Sequence, residues 1–236
     1  MTNITIKAKY LNYWWDRLEK SDLEVNCIKF LLKRVRRKDT ILEIGAFIGI
    51  FTLLLSNLVG QEGKVHAFEP DLKAISFLEQ NVKRNHIKNT IITKTGLSNK
   101  VGNSFLYYIG KSGNSASTLT PFKQKNVQKQ VINVTTIDKF CKVNNIVPNG
   151  IKIDVEGAEN LVLQGGQEII KKYKPWILLE FHGIFMSEEQ RLSNWRKIIE
   201  NSIKVVFVDG DSKLYDYGDV LDDYPDCDYF HVFIEY

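Results

Sequence analysis

The stretch that most constrains this chain is residues 41–52, Ile-Leu-Glu-Ile-Gly-Ala-Phe-Ile-Gly-Ile-Phe-Thr. An apolar strand carrying Glu43 runs into a loop with glycines at 45 and 49, and an apolar helix through Val59 follows at once. Glycine lets a backbone pass close to a bound molecule, because it has no Cβ and tolerates positive φ. The Gly-x-x-x-Gly spacing differs from the Gly-x-Gly-x-x-Gly of dinucleotide binders, whose helix N-terminus is aimed at a pyrophosphate. With an acid two residues before the first glycine, this loop suits a cationic ligand better than an anionic one. Taken alone, an ordinary strand–glycine–helix turn would read the same way.

A second acid narrows the reading. Residues 64–70, Lys-Val-His-Ala-Phe-Glu-Pro, form a short apolar strand ending in Glu69, 20 residues beyond Gly49. In a β-α-β unit, an acid at the tip of the second strand can accept the ribose hydroxyls of an adenosine cofactor. S-adenosylmethionine satisfies both conditions, since it carries a sulfonium, an ammonium and an adenosine but no phosphate. Pro70 lacks an N–H and ends the strand. Asp71 is then placed to cap a helix whose apolar positions are Ile75, Leu78 and Val82.

Strands and helices alternate along the chain. Strands are predicted at 40–44, 64–69, 90–95, 150–154, 176–181, 203–208 and 229–235, and helices at 48–59, 71–85, 136–145, 159–173 and 188–201. Residues 1–39 form a helical lead-in, in which Trp14 and Trp15 read as packing residues, and residues 40–236 form one domain. Alternation of this kind implies an α/β fold with a mostly parallel sheet covered on both faces. Right-handed crossovers then gather the strand C-terminal ends, and the site, on one edge. The pattern breaks at 104–134, which reads as a β-hairpin-like insertion. Its long polar loop is rich in Gly and Ser, and such loops often cover a site.

The remaining acids sit at strand tips. Residues 151–159, Ile-Lys-Ile-Asp-Val-Glu-Gly-Ala-Glu, deliver Asp154 to the end of an apolar strand, with Glu156 and Glu159 before the next helix. Buried acids are costly unless paired. The helix dipole accounts for Glu159 but poorly for Asp154. Residues 176–183, Trp-Ile-Leu-Leu-Glu-Phe-His-Gly, end in Glu180 with His182 two residues on. Alternation puts 180 and 182 on one face, so Asp154, Glu180 and His182 converge if the two strands are neighbours. His66, His86 and His231 have no such context and read as structural.

The segments Leu-Glu-Ile-Gly-Ala-Phe-Ile-Gly, Val-His-Ala-Phe-Glu-Pro, Ile-Lys-Ile-Asp-Val-Glu-Gly-Ala-Glu and Leu-Leu-Glu-Phe-His-Gly resemble, in order, the motifs of the FkbM family of S-adenosylmethionine-dependent methyltransferases. The resemblance covers residues 40–183 and implies the class I methyltransferase fold, a Rossmann-like seven-stranded sheet whose last strand is antiparallel. It also implies that Gly45, Ala46, Phe47 and Gly49 line the methionine part of the cofactor, with Glu43 supporting its ammonium. Glu69 would hold the ribose, and Leu97 and Ser98 would lie by the adenine. One departure is Phe47-Ile48, where the family loop commonly has Asn followed by a variable residue. The family methylates hydroxyl oxygens, often on sugars or secondary metabolites.

The residues agree on the acceptor type. The Asn/Asp-Pro-Pro-Tyr/Phe of many base N-methyltransferases is absent after the 150–154 strand, and Cys141 has no neighbouring Pro to suggest a cytosine-C5 enzyme. An alcohol becomes a good nucleophile on losing its proton, and Asp154, Glu156, Glu180 and His182 are the candidates to accept it, His182 as a base active above pH ~6.5. The same cluster could instead hold a divalent cation, although none is predicted. Ser115 and Ser117, in the 110–118 loop, are the expected acceptor contacts. RNA methylation and a non-catalytic binding module are the alternatives. A net charge of +4 is too mild to favour nucleic acid, and the dense run Lys33–Lys38 reads as the solvated end of a helix whose Ile28, Leu31, Leu32 and Val35 face the core. The eight Asp of 209–228 lack calcium-loop spacing. Three scattered cysteines, no apolar leader and no run of about 18 apolar residues lead to the expectation of a cytoplasmic protein without a membrane span. Oligomeric state is not legible.

Overall fold

A computed structural model describes residues 22–109, 117–119, 121, 126–182, 204–209, 214–216 and 229–235. Trp14, Trp15, Ser115 and the predicted helix at 188–201 lie outside the described residues. The first described element is α1 (Asp22–Arg34), followed by β1 (Thr40–Ile44), α2 (Ile50–Val59), β2 (Lys64–Phe68), α3 (Leu72–Arg84) and β3 (Thr90–Thr93). Next come β4 (Gly96–Leu97), β5 (Gly102–Ile109), β6 (Val127–Thr135), α4 (Ile137–Asn144), β7 (Gly150–Ile153), α5 (Glu159–Gln164) and α6 (Gln167–Tyr173). The last are β8 (Trp176–His182), β9 (Lys204–Asp209), β10 (Leu214–Asp216) and β11 (Tyr229–Glu235).

The main sheet runs β10-β9-β11-β8-β7-β1-β2-β3. The pairs β1–β2, β2–β3, β1–β7 and β7–β8 are parallel, and β11 is antiparallel to both β8 and β9. This is the expected class I arrangement, extended at one edge by the three-residue β10, which pairs antiparallel with β9. Strand order reverses at β1, which lies between β2 and β7. In open α/β sheets that reversal opens a crevice at the strand C-terminal ends.

Local chemistry accounts for the elements around this crevice. Asp71 caps α3 by accepting the N–H groups of Lys73 and Ala74 at 2.8 and 3.1 Å, as its place after Pro70 suggests. Ile75 and Leu78 of α3 are buried and Val82 is partly buried. In α2, Thr52 through Ser56 are all buried, so the helix is apolar around most of its circumference. The predicted helix at 159–173 is two helices, α5 and α6. The chain breaks at Gly165, where an added Cβ would lie 2.1 Å from the Ser98 carbonyl oxygen. Leu31 and Val35 are buried in a cluster with Ile41, Leu178 and Phe233, so α1 packs against the sheet. Leu32 is exposed, contrary to expectation, because it lies off that face. Basic residues beyond the face are partly engaged, Arg34 with Glu235 and Lys38 with Glu62.

The hairpin expected at 104–134 is formed by β5 and β6, registered from Gly102↔Val134 to Ile109↔Val127. It does not join the main sheet. With β4 it makes a separate three-stranded sheet ordered β4-β6-β5. Strand β3 ends at Thr93, and Thr95 N–H bonds back to the Thr93 carbonyl, turning the chain into β4.

Candidate active site

The crevice holds a cavity bounded by the β1–α2 loop, the end of β2, the segment Thr95–Leu97, the hairpin and the tips of β7 and β8. Of the residues expected to bind a cofactor, Glu43, Gly45, Ala46, Phe47, Glu69 and Leu97 line it. Glu69 anchors the glycine loop. Its Oε2 accepts the Phe47 N–H at 2.8 Å and its Oε1 accepts the Asp71 N–H at 2.8 Å. Burial raises its pKa to about 7, against the opposing effect of those two bonds. Glu43 is also buried, and Thr52 Oγ1 donates to its Oε2 at 2.6 Å. Burial raises Glu43 to about 7 as well, with the Lys152 charge opposing.

Two of the expected residues lie outside the cavity lining. Gly49 does not line the cavity. It caps α2 at φ 92°, a left-handed conformation that favours glycine, and an added Cβ would press on Leu78 Cδ1 at 2.4 Å. Ser98 is also outside the cavity lining: its N–H bonds the Thr135 carbonyl and its own carbonyl faces Gly165. Gly45 serves a close approach between chain segments. At φ 85°, its Cβ would fall 1.7 Å from the Asp154 carbonyl oxygen. Phe47, at the departure from the family loop, adopts φ 48°, a left-handed conformation in which Asn is enriched and bulky residues are uncommon.

On the acceptor side the expected acids come together. Asp154, Glu180 and His182 offer ligand-type atoms all within 4.8 Å of one another. Asp154, Glu156 and Glu180 line the cavity, and Asp154 and Glu156 keep 26% and 22% of their side-chain surface exposed. They are therefore the acids a second substrate can reach. Glu156 sits at φ 53° and Gly157 at φ 96°, and left-handed non-glycine residues of this kind concentrate at functional sites.

His182 does not line the cavity but sits behind the acids that do. Its Nδ1 lies 2.8 Å from Glu159 Oε1, and its Nε2 lies 3.4 Å from both Glu156 Oε2 and Glu180 Oε1. Burial would lower its pKa, but hydrogen bonds to Glu159 and Glu180 and the nearby carboxylate charges hold it well above the usual value. This neighbourhood favours the protonated form of the ring. Burial would raise Glu180, yet bonds from His182 and His231 and their charges hold it well below the ordinary carboxylate range. Burial raises Glu156 to about 8, with His182 opposing. Asp154 is raised too, by burial and then by Glu180, against Lys152 and His182.

Three residues escaped the sequence reading. Glu159, attributed there to the helix dipole, is fully buried and also accepts the Gly157 N–H at 2.9 Å, which fixes the strained turn. His231 lies opposite Glu180 across β11 and β8, with Nε2 3.3 Å from Glu180 Oε2. Lys152 is 4% exposed, and its Nζ donates to Asp154 Oδ2 at 3.1 Å. The signal for Lys152 was its place two residues before Asp154, on the same strand face. His66 keeps its structural role, with its ring edge on Phe140. Of the loop serines, Ser117 lines the cavity with Leu106 and Leu119 of the hairpin region.

Residues 43–228 match the model of the methyltransferase FkbM domain. Among solved structures, the chain is similar to a Clostridium thermocellum protein assigned as an rRNA methylase. Identity is 14%, 90% of this chain and 94% of that one are covered, and the TM-score is 0.57. A methyltransferase FkbM from Methylobacillus flagellatus KT is 18% identical over 84% of this chain and 43% of that chain, with a TM-score of 0.53. A Streptococcus mutans protein assigned as a methyltransferase, in complex with SAH, is 13% identical over 90% and 97% of the two chains, also with a TM-score of 0.53. At these identities the structural likeness establishes the fold alone.

Proposed function

This chain belongs to the FkbM methyltransferase family, and from that premise we propose that it transfers a methyl group from S-adenosylmethionine to a hydroxyl oxygen of a sugar, glycan or small metabolite. The observation that carries the proposal is the pair of partly exposed acids, Asp154 and Glu156, which follow β7 and line the cavity beside the glycine loop. The cavity fits the donor. Buried Glu43 and Glu69 both favour a cationic or hydroxyl-bearing guest, because burial has left each carboxylate short of compensating partners.

In this reading Glu43 receives the donor's ammonium and Glu69 its ribose, while Leu97 borders the adenine. S-adenosylmethionine supplies an electrophilic methyl group on sulfur. The chain's own residues do the rest. Asp154 accepts hydrogen bonds from the acceptor's hydroxyls and fixes its angle of approach, since alignment provides much of the rate of an in-line displacement. Glu156 takes the hydroxyl proton. Its pKa of about 8 is close to working pH, where a general base is most effective. His182 and Glu159 hold the turn that presents Glu156. Ser117, at the hairpin end of the cavity, contacts the acceptor, and Ser115 is the second acceptor contact expected from the sequence.

The spacing of Asp154, Glu180 and His182 would admit a divalent ion, but the charges already there compete with one. Lys152 is bonded to Asp154, and the carboxylates around His182 favour its protonated form, which offers no lone pair to an ion. Screening hydroxylated glycans and metabolites with methyl-labelled S-adenosylmethionine tests the proposal. Labelled ether products are expected, and label appearing only on nitrogen, carbon or RNA would overturn it.

A further inference from the structure

Strand β7 is buried along its whole length, yet its third residue is Lys152. The lysine pairs in register with Glu43 of β1. Its ammonium bonds Asp154 and lies 4.4 Å from the centre of the Phe51 ring. Burial opposes that charge, but the carboxylates of Asp154, Glu180 and Glu43 outweigh it and keep the amine protonated. Glu43, Lys152, Asp154 and Glu180 all line the cavity, so one buried cation lies among the acids of both halves of the site. A lysine serving packing alone would gain more as an apolar residue of similar volume.

We propose that Lys152 is a charge-balancing residue of the donor cavity, which sets how strongly the cavity prefers the cationic donor over its neutral product. The donor's sulfur is positively charged. In S-adenosylhomocysteine, the product left after methyl transfer, it is an uncharged thioether, and the two molecules are otherwise alike. An ammonium in the cavity wall therefore acts on the difference between them. It offsets Glu43, Asp154 and Glu180 and limits the attraction those acids exert on the sulfonium. That restraint weakens as the charge on sulfur disappears during transfer, so Lys152 disfavours the bound donor relative to the transition state. The inference rests on the donor-cavity reading above.

The test is calorimetric titration of S-adenosylmethionine and S-adenosylhomocysteine into wild type, Lys152→Met and the double variant Lys152→Met/Glu43→Gln. Lys152→Met should raise the ratio of product Kd to donor Kd by roughly tenfold, the scale of a partly screened unit charge at a buried site. Titrated well above pH 7, where Glu43 is ionised, the double variant removes one charge of each sign and should return the ratio to within about twofold of wild type. A merely structural lysine would weaken both ligands in parallel, and an unchanged ratio in Lys152→Met would overturn the proposal. If Lys152→Met does not fold but the double variant does, charge balance is supported. If neither folds, the lysine is needed for packing and the proposal fails. Wild type that binds neither ligand would overturn the donor-cavity reading itself, and this inference with it.

Discussion

Replacing Glu69 by alanine separates its two tasks, holding the glycine loop and receiving the donor. The carboxylate accepts the N–H groups of Phe47 and Asp71, both at 2.8 Å. Alanine leaves both donors without an acceptor, at about 1–3 kcal/mol each. Against this, the mutation relieves the cost of burying the carboxylate. A pKa raised from 4.5 to about 7 corresponds to roughly 3 kcal/mol of relief at neutral pH. Taking about 2 kcal/mol for each lost bond, the balance is a net destabilisation of about 1 kcal/mol, smaller than a count of lost bonds would suggest. Donor affinity has no such compensation. Losing charge-assisted bonds to the ribose should raise the S-adenosylmethionine Kd by roughly 10–100-fold. Glu69→Gln should fall between, because it keeps one carbonyl acceptor and turns an amide group toward the other N–H. Urea denaturation reads the first quantity as a lower midpoint at constant slope, and calorimetry reads the second. Donor affinity within twofold of wild type in Glu69→Ala would remove Glu69 from the donor site. An unchanged urea midpoint would refute its role in holding the loop.

Gly45→Ala should cost about 3 kcal/mol or more, because φ 85° is strained for any side chain and the Cβ would meet the Asp154 carbonyl. A urea midpoint equal to wild type would show that the β1 and β7 ends do not interlock. Glu156→Gln should slow methyl transfer by roughly 10²-fold or more once an acceptor is in hand, and the wild-type rate should climb as pH rises through about 8, where Glu156 ionises. Retention of both rate and profile would shift the base to Asp154. The ligand-free protein should lose stability between pH ~4.5 and 7. Glu43 and Glu69 have folded pKa values of about 7, above the ordinary 4.5, so their contribution is fully present below 4.5 and is lost as pH rises through 7, up to about 3 kcal/mol each. A melting temperature that climbs steadily over that range would contradict the burial of both acids.

What the sequence revealed depended on how local the cause was. Glu69 and Asp154 were legible because each follows an apolar strand directly, and Glu43 and Glu180 because each lies within two residues of a strand's end, and parallel strands carry their ends to one edge. Asp71 was legible because a helix cap acts within three residues. Gly49 was assigned to the cofactor because a glycine that admits a ligand looks the same as one that admits Leu78. Lys152 was overlooked because its phase with Asp154 was the one local sign, while the other carboxylates near it, Glu43 and Glu180, come from the neighbouring strands. His231 lay beyond reach, since its partner Glu180 is 51 residues away and is met only through an antiparallel pairing. The single helix expected at 159–173 failed for a similar reason, because Ser98 comes from a distant segment. His182 was in phase with Glu180 as expected, but its distance from the cavity depends on Glu159, a residue whose burial the dipole argument hid.

The hairpin's separation from the main sheet bears on how such proteins change partners. Strands β5 and β6 share their ladder with β4 rather than with the eight strands that carry the donor machinery. Leu106 and Ser117 nonetheless reach the cavity from that side. Insertions, deletions or a wholesale exchange of this appendage would leave the register of the eight-stranded sheet intact. A lineage could thus diversify what it modifies by redrawing one hairpin while inheriting its methyl source unaltered. An engineer could graft a relative's hairpin between Leu97 and Thr135 with the same freedom.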